Sequence, residues 1–303
     1  MSKVFIGMIV YNGEKFLNEA IDSLLSQTYE NFTLFISDDA SIDGSGAICE
    51  EYAKKDTRVK YFRQKKNIGM FPSFKFVLDK ADGNYFMWAA QDDIREKDYI
   101  KTCVSNLKKN NGTGMATSLL TVIDSYGRSI KEEPELVKLS GKPSFLSVAR
   151  FVLQPEILGK CNIMYSLFKV DVVKKVWEIY PQRPEWGSDY HFSLAAVSHF
   201  GLIVEPKILF KKRAGGYSSP GSSKNDDPDV VRKIKLKNPK NHMFPFGRFK
   251  NYLRGHMEAL QGTPYGPLVL IILCSRLPRA FFIHLNERIR SKFKRILTKQ
   301  KKQ

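Results

Sequence analysis

Short, continuous apolar runs in the first hundred residues break off into polar turns, and two of those turns are aspartate pairs. Val4–Val10 runs into Tyr11-Asn12-Gly13. Phe32–Ser37 stops at Asp38-Asp39, and Tyr85–Ala90 stops at Gln91-Asp92-Asp93. Runs this short and unalternating read as strands buried on both faces. Between them, Phe16, Leu17, Ala20, Ile21, Leu24 and Leu25 fall on one stripe of a helix. Ala47, Ile48, Glu51 and Tyr52 mark a second helix, and Val59–Phe62 a further strand. This alternation predicts an α/β fold whose mostly parallel sheet is flanked by helices and joined by right-handed crossovers. Ligands of such sheets bind beyond the carboxyl ends of the strands, and both acidic pairs fall there.

Beyond residue 100 the pattern loosens. Ala116–Ile123 and Ile163–Phe168 read as strands, Asp171–Ile179 and Tyr190–Ser198 as helices. Residues 214–229 concentrate Gly, Ser, Pro and Asp and cannot build a core, which predicts a mobile loop or linker. The chain therefore divides into a globular unit over 1–215, a linker region over 216–262 and a basic tail over 263–303. The Val4–Val10 run meets Tyr11-Asn12-Gly13 with no small-residue cleavage site, so it reads as a strand rather than a signal peptide.

Charge separates the same parts. The 303 residues hold 49 Lys+Arg and 31 Asp+Glu, a net of +18. Residues 1–200 hold 26 and 25 of these, and residues 201–303 hold 23 and 6. A near-neutral domain with a basic appendage differs from a nucleic-acid reader, which spreads positive charge over its reading face. In the tail, Leu268–Cys274 is apolar but too short to cross ~30 Å of hydrocarbon, and extending it brings in Arg276 and Arg279. Leu285, Ile289, Phe293, Ile296 and Leu297 then share one helical face, with Arg288, Arg290, Lys292, Lys294 and Arg295 around the rest. That pattern predicts a C-terminal amphipathic helical extension lying in a membrane interface; a helix docked on its own domain is the competing reading. Cys49, Cys103, Cys161 and Cys274 have no paired spacing and read as buried, reduced thiols.

Adjacent carboxylates at a strand end are costly unless something positive binds them. Asp92-Asp93 therefore reads either as a site for a hard cation shared with substrate phosphates or as the cap of a helix starting near Ile94. Asp38, Asp39 and Asp43 read equally as turn formers. His191 and His199, eight residues apart, do not share a helical face and make no metal pair.

The ordered set Val10-Tyr11-Asn12-Gly13-Glu14 with Leu17, Ser37-Asp38-Asp39-Ala40-Ser41-Ile42-Asp43-Gly44-Ser45, Asn67-Ile68-Gly69 and Gln91-Asp92-Asp93 resembles glycosyltransferase family 2. The match is detailed over residues 3–105 and looser to about 217. The resemblance implies a GT-A (Rossmann-like) fold and transfer of a sugar from a nucleoside diphosphate with inversion. It implies a nucleotide-sugar-binding half over 1–105 and an acceptor half over 106–215. Val10, Tyr11, Asp38, Asp39, Asn67 and Asp92 would serve the nucleotide, with Asp38 and Asp43 supporting that loop. Asp92 and Asp93 would hold Mg²⁺ or Mn²⁺. The family's acidic motif often reads Asp-x-Asp-Asp; here Ala90 takes its first place, and Gln91 is a candidate substitute ligand. Asp189, in Trp186-Gly187-Ser188-Asp189, would be the catalytic base, with Trp186 as a sugar wall and Lys212 and Arg213 neutralising the diphosphate. Gly215 stands where the family often carries a His.

The expected protein is thus an inverting, hexosyltransferase-type enzyme using a UDP-sugar, acting on a glycan or lipid-linked acceptor at the cytoplasmic membrane face in surface polysaccharide synthesis. No nucleic-acid partner is expected, and a homo-oligomer stands open. A catalytically weak sugar-nucleotide-binding protein is the competing reading, supported by Ala90 and Gly215. A basic nucleic-acid binder is a third, opposed by the neutral first 200 residues.

Overall fold

The apolar runs become strands wherever they pair into one sheet. The computed structural model describes residues 2–153, 159–183, 187–214, 249–275 and 278. β1 (Val4–Val10), β2 (Phe32–Asp38), β3 (Val59–Arg63) and β4 (Tyr85–Ala90) pair in parallel in the order β3-β2-β1-β4. The crossovers carry α1 (Glu14–Leu25), α2 (Ser45–Lys55) and α3 (Met70–Asp79). Beyond β4 the sheet turns mixed. It continues through β8 (Leu167–Lys169), β6 (Met115–Ile123), β9 (Leu202–Arg213) and β5 (Ile94–Arg95), with β7 (Ser129–Glu132) beside β6. β8 runs antiparallel to both its neighbours, and β6 and β9 are parallel. α4 (Tyr99–Lys109), α5 (Phe145–Leu153), α6 (Val170–Ile179) and α7 (Ser188–Phe200) complete the body.

Trp88 of β4 anchors the core where the parallel and mixed parts meet. It is fully buried and lies edge-on to Phe74, Phe86, Phe168 and Phe192. Its indole N–H donates to the Phe74 carbonyl at 3.1 Å, so the ring carries no unsatisfied donor.

Four expectations change. Ile163–Phe168 is not one strand: Lys160–Tyr165 is a 3-10 turn, and only Leu167–Lys169 pairs in the sheet. Asp92-Asp93 does not cap a helix at Ile94. Ile94 and Arg95 pair with Lys211 and Phe210 of β9, and the next helix begins at Tyr99. The span 216–262 is not all linker, since α8 (Phe249–Ala259) packs on α7 and is followed by α9 (Gly266–Ser275). Residues 215–248, including Gly215 and most of the expected loop, lie outside the described residues, as does the tail beyond Ser275 apart from Pro278. All four cysteines are free thiols; Cys49 and Cys103 are buried as expected, but Cys161 is half-buried and Cys274 exposed. No helix among the described residues is long and apolar enough to cross a membrane.

Candidate active site

The register of the parallel strands makes the site. Val10 pairs with Asp38 and Ile9 with Ala90, so the ends of β1, β2 and β4 lie level. The residues one step past them, Tyr11, Asp39 and Gln91, meet at one sheet edge. They line an open cleft with Asn67, Gly69, Asp92, Tyr165 and Lys212; Ile9, Met70, Phe74 and Ala89 add apolar wall.

Asp39 and the Asn67-Ile68-Gly69 loop hold each other. The Ile68 and Gly69 amides donate to its two carboxylate oxygens at 2.7 and 2.9 Å. Gly69 has φ +88°, which a side chain would resist, and it lets the chain turn from that loop into α3. Each Asp39 oxygen keeps lone-pair capacity for a further donor. Beyond Asp39 the backbone passes through Ala40 at φ +61°, a left-handed conformation costing about 1–2 kcal/mol for a non-glycine residue.

Asp38 differs from the nucleotide-binding expectation. Its carboxylate is fully buried and accepts from the Ser41 amide at 2.8 Å, the Tyr61 hydroxyl at 2.9 Å and Arg63 at 3.0 Å. It buttresses the acidic turn. Asp43 does likewise, accepting from the Ser45 and Glu14 amides. Val10 is also buried, and its carbonyl accepts the Asp39 N–H at 2.7 Å, so it places Asp39 and does not line the cleft. Gln91 is no substitute metal ligand: its side-chain amide clamps the Tyr11 backbone, accepting at 2.8 Å and donating at 3.2 Å.

The second acidic pair divides its work. Asp93 is buried and accepts the Arg213 backbone N–H at 2.9 Å, with the Lys212 ammonium 3.4 Å from its other oxygen. It ties the β4 turn to β9 and is not the cation ligand expected. Asp92 faces the cleft. Burial, and then the Asp93 charge, push its carboxyl up to about 6, against the pull of Lys212 and Arg213. A carboxylate so disfavoured gains from a hard cation, and Mg²⁺ or Mn²⁺ commonly takes one or two carboxylates plus substrate phosphates. The residues fit a cation on Asp92 shared with a diphosphate. They do not fit an all-protein cage, since no cluster of three or more His, Cys, Asp or Glu with that geometry occurs among the described residues.

Strand alternation separates the three basic residues at the end of β9. Lys211 pairs with Glu96 at 2.6 Å. Lys212 turns to the cleft and lies over the Tyr165 ring. Burial opposes its charge, but Asp93, Tyr165 and Asp92 outweigh that and hold the ammonium firmly protonated. Arg213 is buried and committed elsewhere. Its guanidinium donates to the carbonyls of Asp92 and Asp124 at 3.0 and 2.9 Å, pairs with Glu19 and covers the Phe16 ring. It is a strut between α1 and the β4 turn, not a diphosphate ligand.

Gly187, at φ +79°, starts α7 and places Asp189 in its first turn. The Tyr190 amide donates to the Asp189 carboxylate at 2.9 Å, and the Cys161 thiol also donates to it. Burial nevertheless keeps the carboxyl above its ordinary range. Tyr165, which lines the cleft with Asp92 and Lys212, lies within electrostatic reach of Lys212, Asp93, Asp92 and Asp189. Sequence reasoning missed Tyr165, which falls in the stretch read as a strand and carries no local signal. Trp186 lies outside the described residues.

The profile of glycosyl transferase family 2 matches residues 5–177. An uncharacterized glycosyltransferase of Haemophilus influenzae is 25% identical over 243 residues, 78% of this chain and 72% of that protein. The minor teichoic acid biosynthesis protein GgaB of Bacillus subtilis is 26% identical over 72% of this chain, which spans only 24% of GgaB. The fold is similar to that of Staphylococcus aureus TarS 1–349 in complex with UDP, with a TM-score of 0.60 and 15% identity, over 94% of this chain and 91% of that one. It is also similar to the mannosyltransferase PcManGT of Pyrobaculum calidifontis in complex with GDP-Man and Mn²⁺, with a TM-score of 0.51 and 15% identity, over 94% and 79%.

Proposed function

Since the chain belongs to glycosyl transferase family 2, we propose that it moves a hexose from a UDP-sugar to a hydroxyl of a glycan or lipid-linked acceptor, with inversion. The observation that carries this reading is the level edge of β1, β2 and β4. It gathers an open cleft, the Asp39 acceptor, Asp92 and the Lys212 ammonium. Tyr11, Asn67 and Asp39 hold the nucleoside, with Asp39 accepting from the base. Lys212 meets the negative charge that grows on the leaving diphosphate. A Mg²⁺ or Mn²⁺ on Asp92 would add charge neutralisation at the same oxygens.

Asp189 takes the proton of the acceptor hydroxyl as that oxygen attacks C1 of the donor sugar. The nucleoside diphosphate leaves from the opposite face, and one displacement inverts the anomeric carbon. A carboxylate whose acidity is weakened by burial is the stronger base. In this reading residues 1–215 are the catalytic domain, and the basic tail holds it at the cytoplasmic face of a membrane during surface-polysaccharide synthesis. Ala90 in place of a first acidic residue favours one second reading, a sugar-nucleotide-binding protein of low activity.

Thermal shift with UDP, dTDP, GDP and CDP, each with and without Mn²⁺, tests the donor. A ligand at 100 times its Kd stabilises by about 2.7 kcal/mol, a shift of several degrees. UDP is expected to raise Tm, and more so with Mn²⁺. No shift with any nucleotide would remove the donor-site reading. A UDP shift without turnover of UDP-sugars would leave the binding protein.

A further inference from the structure

α9 has the composition of a buried helix and the exposure of a surface one. Its sequence, Gly-Pro-Leu-Val-Leu-Ile-Ile-Leu-Cys-Ser, holds no charge. An all-apolar helix ordinarily lies inside a protein. Here Val269 and Leu273 are buried, but Pro267, Leu270, Ile271 and Cys274 are exposed, Ile271 at 67%. These four follow i, i+3, i+4, i+7 spacing and form one stripe. α9 packs against α5, and α5 repeats the pattern. Leu146 and Leu153, 54% and 51% exposed, stand two turns apart on its outer face, with exposed Arg150 between them. Neighbouring helices thus both leave large aliphatic side chains exposed.

We propose that the outer faces of α5 and α9 form a docking surface for a bilayer carrying anionic lipid. The proposal rests on, and deepens, the reading of the C-terminal tail as membrane-associated, because it assigns contact to α5 of the catalytic body. The charge beside the apolar face selects lipid over a protein partner. Beyond Ser275 the sequence carries Arg276 and Arg279 and then a basic stretch with Arg288, Arg290, Lys292, Lys294 and Arg295. Basic residues flanking an apolar face are the composition of an interfacial helix, and an anionic leaflet attracts each such charge. Charge gives the orientation. Extending the apolar run of α9 brings in Arg276 and Arg279, each costly at a bilayer centre, so the helix lies along the interface. Arg150 is long enough to seat its stem among Leu146 and Leu153 while its head reaches the phosphates. α5 also packs on α7, whose first turn carries Asp189, so this contact fixes the active site relative to the lipid surface.

The test uses the full chain with phosphatidylcholine vesicles, with and without about 30% phosphatidylglycerol. The combined variant Leu146→Glu, Leu153→Glu, Ile271→Glu is compared with the wild type by sedimentation. The wild type is expected to bind the anionic vesicles, and the variant at least about tenfold more weakly with its tail intact. The UDP thermal shift should be equal in both. A second measurement does not depend on that variant folding. Ile271→Trp and Leu146→Trp should each show quenching by brominated lipid.

Equal binding by wild type and variant would overturn the proposal, leaving the tail as sole anchor. So would absence of quenching, or a wild-type dimer that the glutamates dissolve without any vesicle binding, which would make a second copy the occupant. Vesicle binding without any nucleotide shift would strike the transferase reading and leave the docking surface standing.

Discussion

Asp92 and Asp189 both stand above the ordinary carboxylate range, burial being the main cause in each, but only Asp92 has a second carboxylate against it. The difference assigns different work. Asp189, with no acid partner among those causes, keeps a proton affinity suited to a base, and Asp189→Asn should lower kcat by about a thousandfold. UDP affinity should not change, since Asp189 does not line the nucleotide cleft. Titration calorimetry beside turnover checks this, and parallel loss of both would cancel the assignment. Asp92 makes a claim on stability. Its proton is held more tightly folded, at about 6, than at its ordinary 3.8. The stability it contributes is therefore full below about pH 3.8 and is lost as pH rises through 6. Asp92→Asn cannot ionise, so it should raise stability at pH 7.5 by about 3 kcal/mol, with a higher Tm, change little at pH 4, and remove any Mn²⁺ enhancement of UDP binding. A lower Tm at pH 7.5 would show that the carboxylate is compensated without metal.

At the level of elements, β1 to β4 and their helices were legible because each satisfies its own periodicity and pairs with a near neighbour in sequence. The turns at Asp38-Asp39 and Asp92-Asp93 were legible as candidate sites for the same reason, since strand ends locate them. Which carboxylate faces the cleft was not legible. Asp38 and Asp93 are turned inward by Arg63 and by the Lys212–Arg213 end of β9, contacts 25 and 119–120 residues away. The docking of α8 was unreadable for a related reason: beside its buried Tyr252 and Ala259, polar contacts to distant residues hold it. His191 Nε2 lies 3.1 Å from His256 Nδ1, which lies 2.8 Å from the Tyr252 carbonyl; Arg183 pairs with Glu258, and His199 meets the Ala259 carbonyl. Tyr252, Leu253, Ala259 and Leu260 recur at helical spacing and mark the helix, but nothing local marks its joint with α7. It is tight, because a Cβ at Gly255 would stand 2.5 Å from the His191 ring. Gly255→Ala should destabilise the chain by about 1–3 kcal/mol and speed amide exchange in 249–259 ahead of the sheet. Acid should act at the same joint. Burial, with the Arg183 charge, depresses His191 to about 3 against the Tyr252 carbonyl, so the stability it gives is full above about 6.5 and lost as pH falls. Exchange in α8 indifferent to both changes would show that the joint does not hold the helix.

For the molecule as a whole, the charge division was visible from composition, and the mixed half of the sheet was not. β8 spans three residues, too few to show a period, yet it reverses direction between β4 and β6. The uneven charge has a consequence that separates electrostatic from apolar attachment. Residues 276–303 hold ten Lys+Arg and one Glu, whereas the α5 and α9 faces are mainly aliphatic. Screening shortens from about 8 Å at 0.15 M salt to about 3 Å at 1 M, which removes most attraction between the tail and an anionic leaflet. Apolar burial is not screened. A chain held by its tail alone should leave vesicles between those salt concentrations. A chain that also seats α5 and α9 should keep a salt-insensitive fraction. A truncation ending at Ser275 should bind more weakly at 0.15 M than the wild type, yet lose little of that binding at 1 M. Complete release of the wild type at 1 M would assign the attachment to charge and leave the bare faces of α5 and α9 without a lipid role.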